Sequence, residues 1–146
     1  MTKKTKTLEV VLVLVIIGAL VWVMIGGMRI GDKMMMARNA VRRKDVEQIM
    51  MAMQQYLVDN EKFPEGVGRE ERQIGSCVIG GEQLCGGWYK CLDLESALLG
   101  YMEKVPVDSE FGSRERSGYS VALNEYGILT VRACGAEGGQ TIDVSR

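Results

Sequence analysis

An uncharged, apolar run from Val10 to Met28 constrains this chain more than any other feature. As a helix, the run would extend roughly 28 Å, about the thickness of the hydrocarbon core of a bilayer. A secretory signal peptide is the competing interpretation, but its apolar stretch is shorter and a small-residue cleavage site follows it. The sequence after this run, MRIGDKMMMARN, contains no such site. We therefore expect a retained membrane anchor.

A second helical pattern follows the apolar run, and no proline interrupts it before Pro64. Apolar residues recur at the spacing of one helix face, at Val46, Ile49, Met50, Met53, Tyr56 and Leu57. We expect the polar residues between them to lie largely on other faces, namely Arg42, Asp45, Gln48, Gln55 and Asp59. The pattern predicts one helix from about Thr7 to about Asn60.

Three glycines lie where the apolar and amphipathic halves of this helix join, at Gly26, Gly27 and Gly31. Glycine in a helix interior destabilises it by roughly 1 kcal/mol relative to alanine. Bending or local melting is one expectation for this segment. Close packing against a neighbouring helix is the other, because glycine lets two backbones approach.

The remainder, residues 61–146, is predicted to form a small antiparallel sheet with one short helix. Asp93 is a candidate cap for the helix LESALLGYM, which Pro106 would end. A turn at Asn124–Gly127 joins two strand-like segments, and TIDVSR alternates like a final strand. The segment GREERQIGSCVIGGEQLCGG suggests a loop with one short hairpin. The fold class is α+β, with the amphipathic half of the helix covering the sheet.

The four cysteines, Cys77, Cys85, Cys91 and Cys134, all follow the apolar run. The chain has no histidine and no C-x-x-C pair, which argues against a zinc site. Two disulfides in an oxidising, extracytoplasmic location fit a small glycine-rich domain; four free thiols are the alternative. Of the three pairings that exist, we expect Cys77–Cys85 and Cys91–Cys134.

The charges that flank the apolar run indicate the opposite orientation in the membrane from the one that the cysteines indicate. Lys3, Lys4 and Lys6 precede it, whereas six cations follow it: Arg29, Lys33, Arg38, Arg42, Arg43 and Lys44. Counted simply, this excess would place the C-terminal side in the cytoplasm. Long domains translocate largely regardless of charge, so the cysteines decide our expectation in favour of the outside.

The chain resembles the type IV pilin family. Ile16-Ile17-Gly18 matches the family's Ile-Ile-Gly, and Glu9 precedes Gly18 by the family's spacing. The segment ARNAVRRKDVEQIMMAMQQYLVDNEKFPEG resembles the outer half of the family's helix, and the tail resembles bacterial pilin-like proteins with cysteine-linked sheets. The resemblance implies a pilin-like fold with a long N-terminal helix packed on a small antiparallel sheet.

The resemblance also implies roles for individual residues. Glu9 would meet the freed N-terminal amine of a neighbouring subunit in a filament; alternatively it lies in the first helical turn at the membrane interface, stabilised by the helix dipole. Prepilin peptidase would cleave between Lys4 and Thr5, where the family usually has Gly and Phe. Gly26 stands where the family often has a proline. The expected assembly residues are thus Glu9, Ile16, Ile17, Gly18 and Gly26.

The sequence offers little for catalysis or ligand binding. We expect no catalytic residue, no metal and no cofactor, since no nucleophile elbow or phosphate-binding loop is present. The oxygen-rich stretch Asp108–Ser113 is interpreted as a turn rather than a calcium loop. The basic stretch of Arg38, Arg42, Arg43 and Lys44 is expected to be a solvated face or to form ion pairs with acidic neighbours in a fibre, with phosphate of lipids or DNA as an unsupported alternative.

The predicted organisation has four parts: a basic leader (1–6), a transmembrane and assembly half of the helix (7–28), its amphipathic half (29–60) and a globular head (61–146). The expected function is a structural, non-enzymatic subunit of a pilus-like filament. Its expected partners are copies of itself, the assembly machinery of the inner membrane and prepilin peptidase. The subunit would reside in the inner membrane before assembly and at the cell surface afterwards. The alternative is a single-span, membrane-anchored binding module or a secretion-system pseudopilin without long fibres.

Overall fold

A computed structural model describes the backbone of residues 3–146 and, from residue 9 onward, all side chains except those of residues 25 and 27–29. Helix α1 spans Lys3–Asn60, and the chain divides into two compact units, Met1–Ala37 and Arg38–Arg146. The helical assignment runs unbroken through Gly26, Gly27 and Gly31. The expected long helix ending at Asn60 is therefore confirmed, and local melting at the glycines is not seen.

The second unit contains a four-stranded antiparallel sheet in the order β1-β2-β3-β4. Its strands are β1 (Arg72–Gln73), β2 (Tyr119–Leu123), β3 (Leu129–Ala133) and β4 (Asp143–Ser145). The turn between β2 and β3 forms where predicted, because the Asn124 side chain accepts hydrogen bonds from two backbone N–H groups and Gly127 adopts a positive φ. The α+β class and the final strand are also confirmed.

The core of the second unit lies between α1 and the sheet. The predicted helix stripe supplies Val46, Ile49, Met50 and Met53, all completely buried. Facing residues of the sheet and of the short helix complete the core, among them Ile74, Leu94, Leu98, Tyr119, Val121, Leu129 and Val131. The apolar residues that recur at the helix period thus pack against those that alternate along the strands, and together they form one apolar layer between helix and sheet.

The predicted short helix is present as α2 (Glu95–Leu98), but it is shorter than the expected segment LESALLGYM, residues 94–102. The Asp93 carboxylate accepts a hydrogen bond from the Glu95 N–H at 3.0 Å, as a cap does. Leu99 is already extended, and Gly100 has a φ of 107°. A left-handed glycine ends the helix before the proline can.

The segment before α2 forms no hairpin of its own, contrary to expectation. Its strand β1 pairs with the distant β2, and a 3-10 helix spans Gly81–Gln83. The expected cysteine pairing is wrong as well: the disulfides are Cys77–Cys91 and Cys85–Cys134. Cys91 hydrogen-bonds to the carbonyl of Cys77, and Gly87 to that of Glu71 beside β1. The tertiary path of the loop, rather than proximity in sequence, brings each pair together.

Peptide mapping without reduction should recover the Cys77–Cys91 and Cys85–Cys134 peptides. Replacing Cys85 and Cys134 by serine should lower the free energy of unfolding of the second unit by about 2–4 kcal/mol, since the bridge no longer restricts the unfolded chain. Urea unfolding followed by near-ultraviolet circular dichroism measures this change. Recovery of a Cys77–Cys85 peptide from native protein would contradict the structure.

Candidate functional site

The expected assembly residues all lie exposed on the helix of the first unit, distributed around its circumference. Ile16 and Ile17 are half exposed, and Glu9, Gly18 and Gly26 are also exposed. The apolar side chains from Val10 to Met24 are between 49% (Val21) and 81% (Trp22) exposed. The side chains of Lys4 and Thr5, at the expected processing point, lie outside the described residues. Among the residues described, no helix is long and apolar enough to cross a membrane.

The glycines of this surface have room around them. A Cβ atom built on Gly18, Gly26 or Gly31 would meet nothing within 4 Å. Packing within the described chain therefore does not require glycine at these positions. If glycine is needed at these positions, the reason would be the close approach of a helix outside the described residues.

The basic stretch on α1 is not a free cationic face. Arg42 was expected away from the core, but its side chain is 2% exposed. It lies four residues before Val46 and so continues the apolar stripe by one helical turn. Its guanidinium donates to Asp108 at 2.5 Å and to Glu137 at 2.6 Å, while Phe111 packs 5.6 Å from it. Arg42 is therefore ion-paired, but with partners inside the same chain rather than with acidic neighbours in a fibre.

Two neighbours on α1 extend this cluster. Arg38 makes a two-point contact with the Glu137 carboxylate at 2.7 and 2.6 Å. Asn39 is buried and uses both ends of its amide: its nitrogen donates to the Glu137 carbonyl, and its oxygen accepts from the Glu137 N–H and from Arg42. Arg43 donates to Gln140 at the surface. Three of the four cations in the basic stretch therefore bind the β3–β4 loop or Asp108.

The stretch Asp108–Ser113 forms the predicted turn. The Asp108 carboxylate accepts from the N–H groups of Glu110 and Phe111, and the Asp108 carbonyl accepts from the Gly112 N–H. Its oxygens are thus bound to backbone donors and to Arg42. Among the described residues, no group of three or more acidic or cysteine side chains is arranged to hold a metal ion.

The electrostatics of the cluster favour its charged form. Burial would raise the pKa of Asp108, but hydrogen bonds from Arg42 and from two backbone N–H groups outweigh it, so this pKa lies below its usual value. Hydrogen bonds from Arg38 and then Arg42 lower the pKa of Glu137 to about 2. The Arg42 pKa is raised, first by its hydrogen bond to Asp108. The cluster is therefore fully ionised at neutral pH.

A cavity of about 510 Å³ adjoins the core elsewhere in this unit. Ile74, Leu94 and Ser117 form its buried floor, and Asp45 lies on its wall. Asp45 accepts a 2.6 Å hydrogen bond from the Tyr119 hydroxyl, and the Tyr119 pKa is raised by burial and then by this carboxylate. Asp45 was expected on a solvent face, but it instead serves as the partner of a buried phenol.

Sequence reasoning missed the acidic half of the cluster. Asp108 and Glu137 lie 66 and 95 residues from Arg42, so no local pattern connects either carboxylate with the helix. Arg42 did carry a local signal, since its position continues the helix stripe. Comparison with known proteins gives no further assignment: no family model, no curated protein and no solved structure matches this chain.

Replacing Arg42 with methionine should destabilise the second unit by about 3–5 kcal/mol, because Asp108 would remain as a buried charge without its partner. Urea unfolding followed by near-ultraviolet circular dichroism provides the measurement. Lys44→Met, two positions along the helix and exposed, is the matched control and should change stability by less than about 0.5 kcal/mol. Equal effects of the two substitutions would show that the cluster does not stabilise the fold.

Stability should fall with acid in a window set by Glu137. Its pKa drops from the usual 4.5 to about 2 on folding. The stabilisation is therefore complete above pH 4.5 and is lost as the pH falls towards 2. Unfolding at a series of pH values should show a shallower decline for Glu137→Gln than for the unmodified chain. Glu125→Gln, in the exposed β2–β3 turn, should leave the decline unchanged.

Proposed function

We propose that this chain is a structural subunit of a type IV pilus-like filament that polymerises through its apolar N-terminal helix. The observation that carries the proposal is the exposed apolar surface of the first unit from Val10 to Met24. A helix that is apolar all round needs a lipid or protein environment on every side. In this proposal, the membrane surrounds the helix before assembly, and neighbouring helices surround it in the fibre.

Three features support helix packing between copies. The Ile16-Ile17-Gly18 motif and its spacing from Glu9 resemble the pilin family. A Cβ built on Gly18, Gly26 or Gly31 would meet no atom of the described residues within 4 Å beyond the local helix backbone, and small residues favour close helix–helix approach. The methionines of the helix suit irregular packing between repeated helices, because the thioether side chain is flexible. A repeated, non-closing contact of this kind builds a helical fibre.

The second unit would form the outer surface of the fibre. It has its own core and two disulfides, which suit an extracytoplasmic location. In this proposal the subunit resides in the inner membrane until the assembly machinery extracts it. Prepilin peptidase would act at Lys4–Thr5, where the sequence departs from the family's usual Gly-Phe.

Glu9 is the proposed specificity element of assembly. A carboxylate among apolar helices is unfavourable unless it is paired. The N-terminal amine of a neighbouring copy, freed by cleavage, is the partner that the family resemblance suggests. This pairing would fix the axial position of one helix against the next.

Replacing Glu9 with glutamine should lower incorporation into filaments by more than about tenfold, because the neighbouring amine would lie unpaired in an apolar core. Electron microscopy and quantification of sheared surface material provide the measurement. Glu125→Gln removes an exposed carboxylate of the second unit and should assemble normally. Full assembly of Glu9→Gln would refute the role of Glu9.

A single-span binding module is the second candidate, favoured by the Lys4–Thr5 departure at the processing point. N-terminal mass spectrometry of the membrane and sheared fractions separates the two. Fibres whose subunits begin at Thr5 support the filament. A membrane-bound monomer that retains Met1 and forms no fibres supports the module.

A further inference from the structure

A disulfide-closed loop of the second unit presents apolar side chains to solvent. We call residues 77–91, closed by the Cys77–Cys91 bridge, the disulfide lobe. Its two arms lie side by side, because the Cys91 N–H donates to the Cys77 carbonyl and the Gly81 N–H donates to the Tyr89 carbonyl. The bridge and these hydrogen bonds hold the lobe in one conformation, so that little ordering remains for a binding event.

Four large apolar or aromatic side chains of the lobe are exposed: Val78 by 69%, Ile79 by 71%, Trp88 by 37% and Tyr89 by 54%. The two rings stack on each other with centroids 5.2 Å apart. Val78 and Ile79 directly follow Cys77 on one arm, the aromatic pair lies on the other arm shortly before Cys91, and the hydrogen bonds between the arms bring the two groups close together. Grouped exposure of this kind marks an interaction surface, whereas isolated exposed apolar residues do not.

Cationic groups border the lobe. Lys90 directly follows the aromatic pair and is exposed. The Arg116 guanidinium lies against the lobe at Gly80, 3.2 Å from the position that a Cβ on Gly80 would occupy. The surface therefore combines aliphatic, aromatic and cationic groups in a small area, with Glu82 as an acidic neighbour within the loop.

This area is too small to hold a second copy by itself. Four such side chains at these exposures present on the order of 400 Å². A stable protein interface buries about 800 Å² on each partner. A bilayer surface makes no such demand on a tethered protein, because the tether raises the effective concentration of the lobe at the membrane.

We propose that the disulfide lobe is a membrane-contact site for anionic bilayers. Val78 and Ile79 enter the boundary of the acyl chains, Trp88 and Tyr89 lie at the depth of the headgroups, and Lys90 and Arg116 bind lipid phosphate. The inference rests on the proposed function for its membrane anchor. It describes the subunit before assembly, when the second unit is held at the same bilayer as the first.

The two tryptophans of the chain make the test direct, since Trp22 lies in the apolar run and Trp88 in the lobe. The full chain is reconstituted in vesicles of phosphatidylcholine and phosphatidylglycerol, with or without lipids brominated near the headgroup or deep in the acyl chain. Trp22→Phe leaves Trp88 as the reporter, and Trp88→Phe leaves Trp22. We expect shallow bromines to quench Trp88 and deep bromines to quench Trp22.

In the Trp22→Phe background, Val78→Asp with Ile79→Asp should lower the membrane-contact equilibrium by at least about tenfold, because two apolar side chains are lost. Quenching of Trp88 should disappear accordingly. Leu99→Asp is the matched control, since Leu99 is equally exposed, at 71%, but lies outside the lobe. Omitting phosphatidylglycerol should weaken the quenching.

The outcomes separate the two proposals. Quenching of Trp22 without quenching of Trp88 would overturn the lobe inference and leave the anchor intact. Absence of quenching at both positions would overturn the anchor, and with it the proposed function. A Trp88 spectral shift that depends on protein density and is insensitive to bromine would assign the lobe to contacts between copies and overturn the lipid proposal.

Discussion

The buried Arg42 guanidinium is the interaction on which the architecture of the second unit depends. It joins α1 to two separate loops, one through Asp108 and the other through Glu137. The two loops also pack closely against each other. Gly135 shows how closely they pack, since a Cβ there would come within 2.5 Å of the Phe111 ring. A charge buried this deeply tolerates no missing partner, which makes the loop positions specific.

The apolar residues of the two units are used in different ways. In the second unit, the apolar stripe of α1 is buried against the sheet, so that Val46, Ile49 and Met53 are not exposed to solvent. In the first unit, apolar residues surround the helix and stay exposed. The second unit therefore has its own core, while the first requires an environment that the described chain does not supply. The filament proposal and its membrane precursor both follow from this difference.

The basic stretch illustrates how tertiary structure changes an electrostatic interpretation. In sequence, four cations within seven positions predict a solvated face or ion pairs with neighbouring subunits, with phosphate binding as an alternative. In the structure, Arg38 and Arg42 form ion pairs with carboxylates and Arg43 donates to Gln140. The approach of Arg116 to the disulfide lobe had no sequence signal of comparable strength, because Arg116 reaches Gly80 only through the folded chain.

The sequence by itself determined the elements whose signals are local. The α1 boundary near Asn60, the core stripe, the β2–β3 turn and the last strand all follow from helical or strand periodicity and from turn residues. Tertiary structure decided which distant residues meet: the two disulfide pairings, the β1–β2 pairing and the Arg42 cluster. The physical reason is that periodicity is set by the backbone over a few residues, whereas long-range pairing depends on the path of the whole chain.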